Sequence, residues 1–324
     1  MESTPKISVA VITYNQEKTI EQTLDSILCQ EGPFVLEVVV GEDHSTDSTR
    51  EKCLAYGDKI KLLPDEPNLG IMKNFARVMK ACTGDYIAIC AGDDYWCDGH
   101  KLEKQLAFLD AHSDYGVVTT NGYKLIVRKD KLVPGIAPLA PAKDGDAKSF
   151  YFNKDYKGGV YAMPLSIMFR NELLKYIDFD EYISREFPVE DYPMQAVLSQ
   201  HTKFGHIEDY TCVYRVYNSS ATFISLDNPR YLEYHNGLMR IRQYLNELYP
   251  NDKCFDEDWI KDYIFHKEFL LYLHKWEFKK SRELLYNSPN CSRKLMIYTH
   301  NRIMFSLFHF YKELRYKLYN RKRA

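Results

Sequence analysis

The feature that most constrains the fold is an alternation along the first hundred or so residues. Short, uninterrupted apolar runs, ISVAVIT (7–13), EVVVGED (37–43), KIKLL (59–63) and DYIAIC (85–90), read as strands. Between them lie stretches of helical period. One carries Ile20, Leu24, Ile27 and Leu28 on a single face, one runs from Asp47 to Tyr56, and one covers 71–81 after the turn-like Pro67-Asn68-Leu69-Gly70. A helix from about 100 to 111, with Leu102, Leu106 and Leu109 on one face, leads to another strand near 115–122. Strands that do not alternate polar with apolar residues are buried on both sides, and strands separated by helices pair in parallel. The expected fold class is therefore α/β, a mostly parallel sheet with helices on both faces.

Between about 129 and 160 the pattern dissolves into Pro, Gly, Lys and Asp, which favours a mobile surface loop. Strand character returns in AMPLSIMF (162–169) and YTCVYRVY (210–217), with a helix-like segment at 190–200 between them. From about 228 onward the signals are nearly all helical and rich in Tyr and Phe. The division expected is an α/β domain over 1–225 and a helical C-terminal region over 226–324. With 45% hydrophobic and 14% aromatic residues the chain can bury a sizeable core. Its 43 Lys+Arg against 45 Asp+Glu argue against a nucleic-acid partner, which usually demands a large basic excess. No apolar run approaches the roughly 20 residues of a membrane-spanning helix, and the start MESTPKISVAVITYN lacks the layout of a signal peptide. A cytoplasmic protein is expected. The eight cysteines are scattered, with no metal-ligand spacing, and Cys90 and Cys212 sit inside apolar runs as small hydrophobes.

In an open parallel sheet, ligands bind beyond the carboxyl ends of the strands. Strand one ends in Thr13-Tyr14-Asn15, strand two in Glu42-Asp43-His44-Ser45, and strand four runs into Asp93-Asp94. Carboxylates recur at these tips, whereas the glycine-rich phosphate loops of dinucleotide and P-loop sites are missing. Adjacent carboxylates suit a hard divalent cation, Mn²⁺ or Mg²⁺, that also takes diphosphate oxygens. The same pair could instead cap the helix that begins near 100.

SVAVITYNQEKTIEQTLDSILCQ, EVVVGEDHSTDSTREK, NLGIMKNFARVMKACTGDYIAICAGDDYW and FPVEDYPMQ stand in this order over about residues 5–220. Four such motifs in register resemble the family-two glycosyltransferases, enzymes of the GT-A (Rossmann-like) fold, and in particular bacterial enzymes that build surface polysaccharides such as capsule and lipopolysaccharide. The resemblance implies an inverting, metal-dependent transferase of hexosyl or N-acetylhexosaminyl type. It would move a sugar from a nucleotide-diphosphate donor, a UDP-sugar, to a hydroxyl of a glycan or lipid-linked glycan. Carried over residue by residue, Thr13 and Tyr14 match the tip that touches the base. Asp43 matches the acceptor for the uracil imide, and Lys73 matches a basic residue near the nucleotide. Asp93 and Asp94 match the metal and ribose end of the D-x-D motif. Asp191, in Glu190-Asp191, matches the catalytic base.

Each assignment has a plain structural rival: a rim tyrosine for Tyr14, a helix cap for Asp43, a solvated lysine for Lys73, a first-turn acid for Asp191. Two positions depart from the family pattern. Ala91 replaces the leading acid of D-x-D, and Tyr217 stands where a histidine ligand is common. They prompt a rival reading as a nucleotide-sugar-binding scaffold without turnover. A nucleotidyltransferase is a second rival, but ISVAVITYNQEKTI lacks the glycine-rich basic loop for a triphosphate. In 290–324, nine Lys or Arg interleave with IMFSLFHFY, a pattern that suits either an interfacial helix on anionic lipid at the inner face of the membrane or a core-facing helix with a basic outer face.

Overall fold

The structure, a computed structural model, describes residues 4–136, 145–152, 162–217, 226–252, 257–286, 306 and 310–311. The chain divides into two compact units, Met1–Tyr217 and Asn218–Ala324.

The first unit opens with β1 (Lys6–Thr13), α1 (Ile20–Leu28), β2 (Val35–Glu42), α2 (Thr49–Leu54), β3 (Lys61–Leu62), α3 (Ile71–Ala81) and β4 (Tyr86–Ile89). It continues through β5 (Tyr95–Trp96), α4 (Lys101–Ala111), β6 (Tyr115–Ile126), β7 (Lys131–Ile136), α5 (Lys148–Tyr151), β8 (Met168–Arg170), α6 (Phe179–Ser184), α7 (Asp191–Leu198) and β9 (Lys203–Val216). One sheet runs in the order β3-β2-β1-β4-β8-β6-β9-β5, with β7 added to β6. Its first half, β3 to β4, is parallel throughout, as the strand–helix alternation requires. The second half is mixed: β8 is antiparallel to both β4 and β6, β6 and β9 are parallel, and β5 is antiparallel to β9.

The first half owes its order to two helix faces. Ile20, Leu24 and Ile27 of α1 join Ile7, Val9 and Val11 of β1 in one core cluster, all fully buried. Each such side chain contributes about 1.5–3 kcal/mol relative to exposure. α3 packs against β2 because Gly41 carries no side chain. A Cβ there would meet Val78 Cγ2 at 2.3 Å and Asn74 Oδ1 at 2.5 Å, and Asn74 Nδ2 donates to the Gly41 carbonyl at 2.7 Å.

Expectations change in two regions. Residues 131–136 and 148–151, read as loop, form β7 and the short α5, and β7 returns antiparallel along β6 after Asp130 turns the chain at φ 45°. Pro134 and Gly135 weaken the local strand signal, but an added strand tolerates a proline. Within 162–169 only Met168 and Phe169 are strand. Pro164 starts a 3₁₀ turn, Pro164–Ser166, whose Leu165 carbonyl accepts from Trp96 Nε1 at 3.0 Å.

The second unit contains α8 (Tyr231–Leu248), α9 (Glu257–His274) and α10 (Phe278–Tyr286). Phe269, Leu273 and Leu285 form a small core there, and Arg242 lies over the Trp259 ring at 4.4 Å. No helix among the described residues is long and apolar enough to cross a membrane. The basic amphipathic stretch 290–324 lies almost wholly outside the described residues.

Candidate active site at the strand tips

The loops that follow β1, β2 and β4 are bonded into one body. The Asp43 amide donates to the Thr13 carbonyl at 3.0 Å, and the Gly92 amide donates to the Ile12 carbonyl at 3.0 Å. Asn15 and His44 both adopt left-handed backbone, at φ 52° and 60°. Asn tolerates this conformation, and here its Oδ1 accepts the Thr46 amide at 2.8 Å, while its own amide donates to Ser45 Oγ at 2.9 Å. Glu42, fully buried, accepts from the Ser45 amide at 2.7 Å and from Arg50 at 3.2 Å. Tyr14, 46% exposed, stands out from this body as an available aromatic face.

Asp43 is buried, and both of its carboxylate oxygens are already bonded. Oδ1 accepts the Leu69 amide at 2.8 Å and Oδ2 the Gly70 amide at 2.9 Å, while Asn68 Nδ2 donates to the Asp43 carbonyl at 2.8 Å. The capping work falls on the entry to α3, rather than on α2, the helix next in sequence. There Asp47 takes the Thr49 amide at 3.0 Å. Each Asp43 oxygen retains a second lone pair for a ligand. Lys73 is exposed on the first turn of α3.

The turn after β4 is clamped from two sides. Thr19 and Thr23 donate hydroxyls to the Gly92 carbonyl at 2.8 and 3.0 Å, and Thr23 also reaches the Asp94 carbonyl at 2.6 Å. Gly92 admits no Cβ, which would lie 2.4 Å from Gln16 Oε1 and 2.6 Å from Thr13 Oγ1. The two aspartates differ. Asp94 is 4% exposed, and its Oδ1 accepts the Arg215 amide of β9 at 2.8 Å. Burial, together with the charge of Asp93, pushes its carboxyl well above the usual range. Asp93 is half-buried and is bonded by Gln16. Burial raises it too, against the opposing pull of the Arg215 guanidinium. Tyr217, the residue at the histidine position, lies within electrostatic reach of both aspartates, and burial keeps its phenol neutral.

A divalent cation fits this donor set in a limited sense. Hard carboxylate oxygens, raised by burial and so favouring neutralisation, suit Mn²⁺ or Mg²⁺. The described residues hold no cluster of three or more His, Cys, Asp or Glu, so they alone offer no closed metal site. Such a site suits a cation shared with a diphosphate.

Asp191 opens α7, and its Oδ1 accepts the Tyr192 amide at 2.7 Å. Burial lifts the Glu190 carboxyl, and the neighbouring Asp191 charge lifts it further; burial lifts Asp191 as well. The helix is fixed by Gln195, which accepts from Tyr151 Oη at 2.8 Å and exchanges bonds with the Ala162 backbone. Thr13, Asp43 and Asp93 thus belong to one hydrogen-bonded body, whereas the described bonds of Asp191 stay within α7. The sequence reading missed Gln16, Thr19, Thr23 and Asn68. The signal for Thr23 was a polar residue inside the apolar stripe of α1, where it is fully buried.

Comparison with known proteins places these motifs. The model of the family described as Glycosyl transferase family 2 matches residues 8–177, more than half of the chain. The UDP-Glc:alpha-D-GlcNAc-diphosphoundecaprenol beta-1,3-glucosyltransferase WfgD of Escherichia coli is 35% identical over 104 residues, 32% of this chain and 40% of WfgD. S. aureus TarS in complex with UDP-GlcNAc superposes with a TM-score of 0.55 at 19% identity, covering 91% of this chain and 79% of that one. The mannosyltransferase PcManGT from Pyrobaculum calidifontis, in complex with GDP-Man and Mn²⁺, gives 0.53 at 16% identity, covering 95% and 88%. At those identities the two structures share the GT-A fold with this chain. The curated relatives are matched over 28–49% of their own length.

Proposed function

Because the chain belongs to glycosyl transferase family 2, we propose that it moves a sugar from a nucleoside-diphosphate donor, a UDP-sugar, to a hydroxyl of a glycan or lipid-linked glycan in bacterial surface-polysaccharide synthesis, with inversion at the anomeric carbon. The observation that carries the proposal is the single hydrogen-bonded body formed by the tips of β1, β2 and β4, with Thr13, Asp43 and Asp93 in it. Tyr14 supplies a ring for the base, the free lone pairs of Asp43 accept the uracil imide, and Lys73 lies near the nucleotide. Asp93 would hold the cation, with Asp94 behind it bracing the turn. When bound, the cation neutralises charge that develops on the leaving diphosphate.

The acceptor hydroxyl attacks the anomeric carbon from the face opposite the diphosphate. A new C–O bond forms as the bond to the phosphate oxygen breaks, and Asp191 takes the hydroxyl proton. A carboxyl raised by burial is a better proton acceptor near neutral pH than an ordinary aspartate. Residues 290–324 would meet a membrane surface, as their interleaved basic and apolar residues suggest.

The test is a thermal-shift panel of UDP, GDP, CDP and ADP, each with and without Mn²⁺, on the wild type and Asp93→Ala. A ligand at 100 times its Kd adds about 2.7 kcal/mol of stability, an easily read shift. A Mn²⁺-dependent shift for UDP alone, lost in Asp93→Ala, is expected. A shift for another base keeps the chemistry but removes the role given to Asp43. No shift for any nucleotide rejects the transferase reading.

A further inference from the structure

Arg215, near the end of β9, is 6% exposed and touches three separate elements. Its backbone amide donates to Asp94 Oδ1 at 2.8 Å, and its Nη1 donates to the Asp93 carbonyl at 2.6 Å. Its Nη2 donates to Gln22 Oε1 of α1, and the guanidinium carbon lies 4.7 Å from the centre of the Tyr95 ring. One side chain thus joins β9, the aspartate turn, β5 and α1. These bonds fix opposite features of neighbouring residues. They hold the Asp94 carboxylate inward and pin the Asp93 carbonyl, which leaves the half-buried Asp93 carboxylate as the one with solvent access. Only a planar guanidinium can donate in two directions while stacking on a ring.

We infer that Arg215 is a positioning residue for the cation, setting the direction of the Asp93 carboxylate without contacting the metal or the donor. The inference rests on the transferase reading above and adds a residue to it. The chain offers no third carboxylate, histidine or cysteine among its described residues to complete a metal site. The orientation of Asp93 therefore carries much of the cation affinity, and Arg215 sets that orientation through the Asp93 carbonyl. Thr19 and Thr23 hold the same turn from the other side, but only through its carbonyls. Releasing Arg215 leaves the turn attached and the Asp93 carboxylate misdirected.

The test measures Mn²⁺ concentration at half-maximal thermal shift, using the diphosphate from the panel that the wild type binds, for the wild type, Arg215→Met and Arg215→Lys. Supporting groups behind metal ligands typically alter affinity by about 10- to 100-fold, and a rise of that size is expected in Arg215→Met. The metal-free nucleotide shift should stay at the wild-type level, because Asp43 and Tyr14 are untouched. Arg215→Lys, with one donor head, should recover only part of the loss. If the Met variant fails to fold, Gln22→Leu, which removes the α1 anchor of the guanidinium, should raise the half-maximal concentration in the same direction. Wild-type Mn²⁺ dependence in a folded variant overturns the inference and leaves the transferase reading standing. A wild type that shifts with a nucleotide but without metal dependence overturns the inference alone, and one that shifts with no nucleotide overturns both.

Discussion

At the tips of β2 and β4 the carboxylates are held by backbone from distant segments, whereas at the head of α7 two adjacent carboxylates are lifted by burial with only local support. Asp43 accepts two amides and Asp94 one, each from a segment distant in sequence. Glu190 and Asp191 are adjacent, both raised by burial, and only a local amide supports the second. A carboxylate tethered by N–H donors from a distant segment is fixed in place, which suits the binding of a donor. Burial lifts Asp94 and the α7 pair alike, but among the described bonds the α7 pair has no such tether, which suits proton transfer. The contrast predicts that substitutions at the tips act on stability and binding, and those at α7 on rate.

The largest effect expected is on rate. Asp191→Asn keeps the shape and the amide contact but cannot take a proton. Turnover should fall by about a hundred- to ten-thousandfold, the usual contribution of a positioned base. The nucleotide-induced thermal shift should not change. Residual turnover close to wild type would break the comparison at its α7 end.

Asp43→Ala tests the other end. It leaves the half-buried Leu69 and Gly70 amides without their acceptor, at up to roughly 1–3 kcal/mol each. Chemical denaturation should show a loss of about 2–4 kcal/mol, whereas Asp191→Ala should lose far less. Equal losses at the two positions would mean that Asp43 is no more structural than Asp191. Gly92→Ala gives a smaller effect of the same kind. The added methyl is forced onto Gln16 and Thr13, and overpacking of this sort costs about 1–3 kcal/mol. Gly99→Ala is its control, because the nearest atom to a Cβ there is 3.6 Å away. A Gly92→Ala variant as stable as Gly99→Ala would show that the turn can shift freely.

The sequence carried most of the parallel half and little of what fixes the aspartates. The third helix, read over 71–81, spans Ile71–Ala81, because the apolar face and the preceding Gly70 are both local signals. β1, β2 and β4 were legible for the same reason. β7 was not, since its pairing depends on the edge that β6 presents and its own residues include Pro and Gly. The site divides along the same line. The aspartates at the tips are legible because each stands just past the carboxyl end of a buried, apolar strand. That Asp94 turns inward is not legible, because its partner Arg215 lies 121 residues away.

The smallest and most discriminating prediction concerns pH. Glu190 is lifted further than Asp191, by burial and by the Asp191 charge, so it is still protonated where Asp191 ionises. Glu190→Gln keeps that neutral neighbour. The acid limb of kcat/KM, which reports ionisation of the base in the free enzyme, should therefore stay in place while turnover at its plateau changes little. Stability gives an independent reading with a definite sign. A carboxyl whose pKa is higher in the folded state favours folding when protonated, and that advantage is lost as pH rises through the raised value. The wild type should lose stability from acid pH toward neutrality relative to Glu190→Gln, which has one fewer such group. An acid limb that moves to lower pH in Glu190→Gln would show that Glu190 ionises first and that its charge helps to set Asp191. A pH–stability curve of Glu190→Gln that coincides with that of the wild type would show that burial does not raise Glu190 in the folded protein.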